Sequence, residues 1–250
     1  MKIALLSDVH SNLQALKACT EHARKAGAQQ FVILGDLVGY GGDPAGVVDE
    51  VMALWEQGAW VVKGNHDDMA VNPPPALNDM GSSSAAWTHA RLSLEQREFL
   101  ATRPMTKLHG KALFVHASAN QPAKWEYVDS EHKAKLCMDA ACRDHSASHV
   151  FLGHVHHQVL YYPGASRNMM RFDPVAGVAI PTPLRRQMVV TVGSVGQPRD
   201  GDVRSMYAMY DDVLQTLSFY RVAYDAQSAA QAIRKAGLPE QMATRLELGR

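Results

Sequence analysis

At 250 residues and 46 % hydrophobic, the chain is long enough to bury a proper core, as one large α/β domain or two small ones. A formal net charge of zero argues against a general nucleic-acid binder or a membrane-surface binder, although charge brought by bound metal does not enter that count. Three cysteines, Cys19, Cys137 and Cys142, are too few and too scattered for a disulfide framework and lack the paired spacing of a zinc ribbon.

The opening apolar run, residues 1–6, is too short for a signal segment, and no later apolar stretch approaches a membrane span. A soluble, cytoplasmic protein with reduced thiols is expected. Residues 3–6 read as a buried strand, followed by a helical pattern in Leu13, Leu16, Ala23 and Ala26 that stops at Gly27. Residues 31–34 are the next strand. Asp43 and Pro44 suit an N-cap and first helical residue, opening a helix through Val47, Val48, Val51 and Leu54. Residues 60–62 form a third strand. Strands alternating with helices predict a largely parallel sheet covered on its faces.

Residues 72–84, with Pro73, Pro74, Pro75 and a Gly-Ser run, read as a loop. A helix follows from about residue 84, and another at Ser93, where Gln96 completes a capping box. Residues 113–115 and 150–152 are strands separated by a helix over 131–143. In the last third, residues 159–162, 188–192, 206–210 and 214–220 are strand-like, with a turn at Asp211-Asp212, which predicts an antiparallel second sheet. Residues 167–183 show no period and read as an excursion or flap. The tail, about 225–250, resumes helix over about 225–236, stopping at Gly237 and Pro239. With no repeat, charge block or linker, a single domain over 1–250 is expected.

Five patches begin where predicted strands end: Asp8-Val-His10, Gly35-Asp36, Gly64-Asn65-His66-Asp67, His116, and Gly153-His154-Val-His156. Open α/β sheets gather their ligands at the carboxyl ends of strands. Taken singly, Asp8 and Asp36 read as cap or turn residues, Asn65 and His66 as a self-bonded loop, and His116 as a core histidine. Alternating histidines leaving a strand are less easily explained. Together, in this order, the patches point to a metal site. Imidazole, carboxylate and amide oxygen without thiolate suit manganese, iron, zinc, cobalt or nickel.

With these motifs the chain resembles the calcineurin-like metallophosphoesterases, whose motif order is Asp-x-His, Gly-Asp, Gly-Asn-His, His and Gly-His-x-His. It is most similar to a bacterial group of small predicted phosphoesterases, through residues 7–12, 35–41 and Gly193-Ser-Val-Gly-Gln-Pro-Arg-Asp-Gly201. The resemblance implies an α/β fold, a four-layer αββα sandwich of two mixed sheets flanked by helices. It implies two divalent metal ions per chain, about 3.5–4 Å apart. Asp8, His10 and His156 would hold one, Asn65, His116 and His154 the other, with Asp36 bridging. His66 would be the proton donor to the leaving group.

Departures from the family pattern narrow the expectation. Protein serine/threonine phosphatases follow the bridging Asp with Val-Asp-Arg-Gly; here the residues are Val38-Gly39-Tyr40-Gly41. The Asp that orients the catalytic His and the Arg that grips phosphate are both missing. A protein-phosphatase assignment is therefore disfavoured, and Asp67 is a candidate to orient His66. Ala117 stands where the family usually has Gly. Arg199 either supplies the missing phosphate clamp or belongs to a surface turn. Asn12 either polarises substrate or starts the first helix. Tyr40 and the triple-proline loop are candidates to shape the mouth.

The expected activity is hydrolysis of a small phosphomonoester or phosphodiester, with nucleotide derivatives, including dinucleoside polyphosphates, implied by the family. No membrane or general nucleic-acid partner is expected, and the sequence leaves oligomeric state open. Two alternatives are a nuclease, disfavoured by the neutral charge, and a non-catalytic metal-stabilised binding module, disfavoured by the retained His66.

Overall fold

The computed structural model of the protein describes residues 1–75, 80–165 and 168–250, with backbone alone over 80–83. In chain order the strands are β1 (Lys2–Leu6), β2 (Gln30–Ile33), β3 (Trp60–Val61), β4 (Thr106–His109), β5 (Ala112–Val115), β6 (His149–Leu152), β7 (Gln158–Pro163), β8 (Met169–Phe172), β9 (Ala179–Pro181), β10 (Met188–Val192), β11 (Ser205–Asp211) and β12 (Thr216–Val222). The helices are α1 (Leu13–Lys25), α2 (Pro44–Glu56), α3 (Asn65–Val71), α4 (Met80–Arg91), α5 (Leu94–Ala101), α6 (Glu131–His145), α7 (Ala226–Lys235) and α8 (Glu240–Leu248).

The strands form two six-stranded mixed sheets, β3-β2-β1-β11-β12-β9 and β4-β5-β6-β10-β7-β8. Period-two alternation in β1 sends Ile3 and Leu5 into the core between the sheets, and Ala4 and Leu6 towards α1 and α2. Phe114, Phe151 and Tyr210 fill the middle of that inter-sheet core. On the outer side of the second sheet, Leu113, Val150, Val189 and Tyr161 pack against α6 through Ala134, Cys137, Met138 and Ala141. This is the four-layer αββα sandwich.

Local signals set the helix ends. Asp43 accepts from Gly46 N at 3.0 Å with Pro44 as the first residue of α2, and Ser93 and Gln96 form the expected reciprocal box at α5. Cys19 and Cys137 are buried free thiols, and Cys142 is a half-buried one. Among the described residues, no helix is long and apolar enough to cross a membrane.

Several expectations are corrected. The late strands do not make a sheet of their own: β9, β11 and β12 extend the first sheet, while β7, β8 and β10 extend the second. β11 pairs antiparallel to β1, and β10 enters between β6 and β7, parallel to β6. Residues 167–183 contain two edge strands, β8 and β9, one for each sheet. Being exposed on much of their surface, they carry little hydrophobic period. β4, also at an edge, was not foreseen. Leu214 belongs to the β11–β12 turn, where Asp211 Oδ1 accepts from Val213 N and Leu214 N at 3.0 and 2.9 Å. Helix α4 begins at Met80, ahead of the predicted start; residues 76–79 of the predicted loop lie outside the described residues.

Candidate metal centre

β1, β2 and β3 run parallel in one sheet, and β5, β6 and β10 run parallel in the other. The loops leaving these six carboxyl ends meet at one place. The β1 and β2 loops run side by side there: Asp8 N, His10 N and Ser11 N donate to the carbonyls of Gly35, Asp36 and Leu37 at 3.1, 3.0 and 2.9 Å. The β10 loop closes over them, with Val195 N and Gly196 N donating to the Ser7 and Asp8 carbonyls.

All seven residues marked in the sequence as ligands come together. Asp8, His10 and His156 form one cluster, and Asp36, His116 and His154 another, with donor atoms in each within 4.8 Å of one another. Asn65 joins the second, its Oδ1 3.1 Å from His116 Nε2. Asp36 stands between them: its Oδ2 is 3.8 Å from His10 Nε2 and 3.3 Å from His116 Nε2. Asp8 Oδ1 is 3.2 Å from His156 Nε2. His10 and Asp36 also cluster with His66.

The tautomers follow from hydrogen bonding. A carbonyl can only accept, so a ring nitrogen facing one must donate. His10 Nδ1 faces Val38 O at 3.1 Å, His116 Nδ1 faces Leu34 O at 2.7 Å, His156 Nδ1 faces Gln197 O at 2.6 Å, and His154 Nε2 faces Trp125 O at 3.0 Å. In the neutral rings the remaining nitrogens turn lone pairs inward. Those pairs face each other: His10 Nε2 to His156 Nε2 at 3.1 Å, and His116 Nε2 to His154 Nδ1 at 3.2 Å. Two nitrogens on one cation at about 2.1 Å, at about 90–110°, lie about 3.0–3.4 Å apart. The donor set therefore fits a pair of borderline divalent cations, each imidazole held from behind in the way metal-binding histidines are.

The electrostatics and backbone single out the same residues, with one group, His116, drawn to a proton that a bound cation would displace. Burial disfavours the charged form of Asp36, but the surrounding His116, His66 and His10 hold its carboxyl well below the usual range. Asp8 is likewise lowered, burial being overcome chiefly by His156. Burial pushes His10 well down and His154 to about 4. Burial also opposes charge on His116, but Asp36 and its hydrogen bond win and raise it to about 9. Asp8, His10, Asp36, His154 and His156 all have φ between +48° and +65°. Each such non-glycine conformation costs about 1–2 kcal/mol, the kind of strain that gathers at functional sites.

His66 is buried beside these clusters. Its backbone N donates to Asp36 Oδ1 at 2.8 Å, and its ring stands 4.5 Å from Tyr40 and 5.0 Å from His10 between centroids. A Cβ on Gly39, at φ +90°, would lie 2.5 Å from His66 Nδ1, so the close fit of this ring needs glycine there. Asp67 has a different task from the one expected. Its Oδ1 accepts from Leu37 N at 2.8 Å and Val38 N at 3.4 Å, and its Oδ2 from Gly64 N at 2.9 Å. It braces two loops, while packing by Gly39, Tyr40 and His10 positions the His66 ring.

Asn12 caps α1, accepting from Ala15 N at 3.1 Å and donating to Gly196 O at 2.9 Å, and is buried. Its side chain faces inward, in the helix-starting role of the two the sequence offered. Arg199 lies at the rim, its guanidinium 5.8 Å from the Tyr40 ring centroid and its Nη2 donating to Gln197 Oε1 at 2.8 Å. Trp125 and Tyr127 were missed by the sequence reading. Trp125 supplies the carbonyl behind His154, and Tyr127 stacks on the His154 ring at 3.9 Å. A Trp-Glu-Tyr loop segment carries no spacing signal that would have found them.

Residues 1–212 match the family model described as the calcineurin-like phosphoesterase superfamily domain. The chain is 30 % identical to the protein MJ0912 of Methanocaldococcus jannaschii, over 99 % of this chain and 98 % of that one. The crystal structure of a metallophosphoesterase from Sphaerobacter thermophilus is 32 % identical, with a TM-score of 0.87 over 100 % of this chain and 99 % of that chain. PH1004 of Pyrococcus horikoshii OT3 shares the fold at 19 % identity, with a TM-score of 0.79 over 100 % and 98 % of the two chains. The chain belongs to the calcineurin-like phosphoesterase superfamily, and it is a metal-dependent phosphoester hydrolase.

Proposed function

We propose that the protein hydrolyses small phosphomonoesters or phosphodiesters at a dinuclear centre. Asp8, His10 and His156 hold one divalent ion, Asn65, His116 and His154 the other, and Asp36 bridges them. The observation that carries this reading is the pair of inward lone-pair contacts, 3.1 and 3.2 Å, between histidines whose outer nitrogens are committed to carbonyls. Manganese, iron, zinc, cobalt and nickel all suit the donors.

When bound, such ions supply Lewis acidity that makes water nucleophilic near neutral pH and neutralises phosphoryl charge. The chain's own residues do the rest. His66 donates its proton to the departing oxygen as the bond to phosphorus breaks. Burial, helped by the nearby His116 and His156, holds this ring below the usual histidine range despite Asp36 and Asp8, so its proton is readily given up. Arg199, at the rim beside Tyr40, grips a non-bridging phosphate oxygen. Tyr127, 46 % exposed, offers a ring face to a base, which favours nucleotide derivatives, dinucleoside polyphosphates included. Free thiols suit a cytoplasmic setting.

Hydrolysis of bis-p-nitrophenyl phosphate with added manganese, with and without chelator, tests the activity, and a metabolite screen for released phosphate or nucleotide then finds the substrate. Turnover unaffected by exhaustive chelation would defeat the dinuclear reading.

A further inference from the structure

The match to the family model stops at residue 212, yet the chain continues into α7 and α8. These helices form a hairpin with its own apolar cluster, Ala229, Ala230, Ile233, Met242, Ala243 and Leu246. Tyr40 packs against that cluster. The same ring stands 4.5 Å from His66, 4.8 Å from His10 and 5.8 Å from the Arg199 guanidinium. A single side chain thus links the hairpin to the catalytic histidine and to the candidate phosphate clamp.

Two backbone contacts tie the hairpin to the loops that carry those residues. Gly42 lies flush on α7: a Cβ there would be 2.5 Å from the carbonyl carbon and oxygen of Ala232. At the other end, Gly201 N donates to Gly249 O at 2.8 Å, two residues beyond Arg199. Arg221 of β12 holds the same loop through Asp200 at 3.1 Å. Arg199 Nε is buried without a hydrogen-bond partner, although a guanidinium has five N–H groups to satisfy. A planar cation held beside an aromatic ring, with terminal N–H groups left over after Gln197, is suited to a phosphate oxygen.

We propose that the α7–α8 hairpin is a positioning element for a phosphate-gripping wall made of Tyr40 and Arg199. This rests on the reading above that a phosphoester is cleaved at the adjoining centre. Backing the wall with a packed hairpin lowers the entropy lost when Arg199 closes on an anion. The element acts through Tyr40 and Arg199 and leaves the metal-holding residues to the strand-end loops.

The test uses the full-length, manganese-loaded chain, bis-p-nitrophenyl phosphate as substrate and inorganic phosphate as competitive inhibitor. Ile233→Ala opens the cluster under Tyr40, and Gly42→Val pushes α7 away. Both should keep metal content and change kcat little, since p-nitrophenolate needs little from the His66 ring that Tyr40 also packs against, while raising KM and the phosphate inhibition constant about five- to tenfold, the pattern of lost uniform binding. In a Tyr40→Ala/Arg199→Ala background the same changes should have no further effect on either constant, because the residues they act through are gone. Unchanged KM in a folded hairpin variant, metal loss, or an undiminished effect in that background would each overturn the proposal. Should Gly42→Val fail to fold, the smaller Ile233→Ala decides. If the Tyr40→Ala/Arg199→Ala chain itself binds phosphate normally, the clamp in the underlying reading fails. If it binds weakly while the hairpin variants bind normally, only the positioning role fails.

Discussion

The Nε2 atoms of His10 and His156 stand 3.1 Å apart, and each ring donates its other N–H to a carbonyl, of Val38 and Gln197 respectively. Two buried lone pairs at that separation repel unless a proton or a cation lies between them. A shared proton would place a positive charge where burial already disfavours one on His10. A divalent ion would resolve the contact and be matched by the Asp8 and Asp36 carboxylates beside it.

The first prediction follows from Asp36 facing both histidine clusters. Purified or reconstituted protein should carry about two divalent ions per chain. Asp36→Asn should weaken both sites, whereas His10→Ala should mainly empty one. Elemental analysis is the measurement, and a full metal complement in the Asp36 variant would refute the bridging role.

Asp67 gives a prediction about stability. Asp67→Ala strips acceptors from Leu37 N and Gly64 N, both inside the protein, and each orphaned buried donor costs about 1–3 kcal/mol. A loss of about 2–4 kcal/mol in denaturant unfolding is expected, with Asp67→Asn losing less because one acceptor oxygen remains. A Asp67→Ala chain as stable as the parent would show that the brace between the β2 and β3 loops is unimportant.

The candidate ligand residues were legible in sequence because each is fixed by local chemistry at the end of a short apolar strand. The second sheet was not. Whether β10 pairs with β6 and β7, or β11 with β1, depends on contacts between distant segments with similar apolar patterns. Edge strands such as β8 show little alternation to read. The roles of Asp67 and Asn12 turned on which backbone groups fold beside them, Leu37 and Gly64 for one and Gly196 for the other. Spacing says nothing about that. Caps, which are local, appeared where the residues predicted them at α2 and α5.

Substrate class can be tested against the residues beside His66. Gly39 packs on its ring and Tyr40 meets it at a tilt, where protein phosphatases carry Asp and Arg. Phosphopeptides should therefore be turned over much more poorly than small esters, by about tenfold or more in kcat/KM. Parallel panels of phosphopeptides and nucleotides measure this directly, and a preference for phosphopeptides would contradict it.

The last prediction separates His66 as proton donor from His66 as ligand, a distinction its place beside His10 and Asp36 makes necessary. A general acid matters in proportion to how badly the leaving group needs a proton, typically about 10²–10⁴-fold. p-Nitrophenolate departs unaided, whereas an alkoxide from a ribose or alkyl ester does not. His66→Ala should therefore keep its metals, lose most activity on nucleoside or alkyl esters, and lose less on p-nitrophenyl esters. The slope of log rate against leaving-group pKa should steepen, given bond cleavage as the limiting step for both substrate types. A ligand variant such as His116→Ala should instead lose metal and damage both reactions alike, since its Nε2 faces Asp36 Oδ2 at 3.3 Å and Asn65 Oδ1 at 3.1 Å. Metal content and that slope, measured on the same preparations, decide the matter. Lost metal with an unchanged slope would make His66 a ligand and leave the leaving group without a proton donor on this chain.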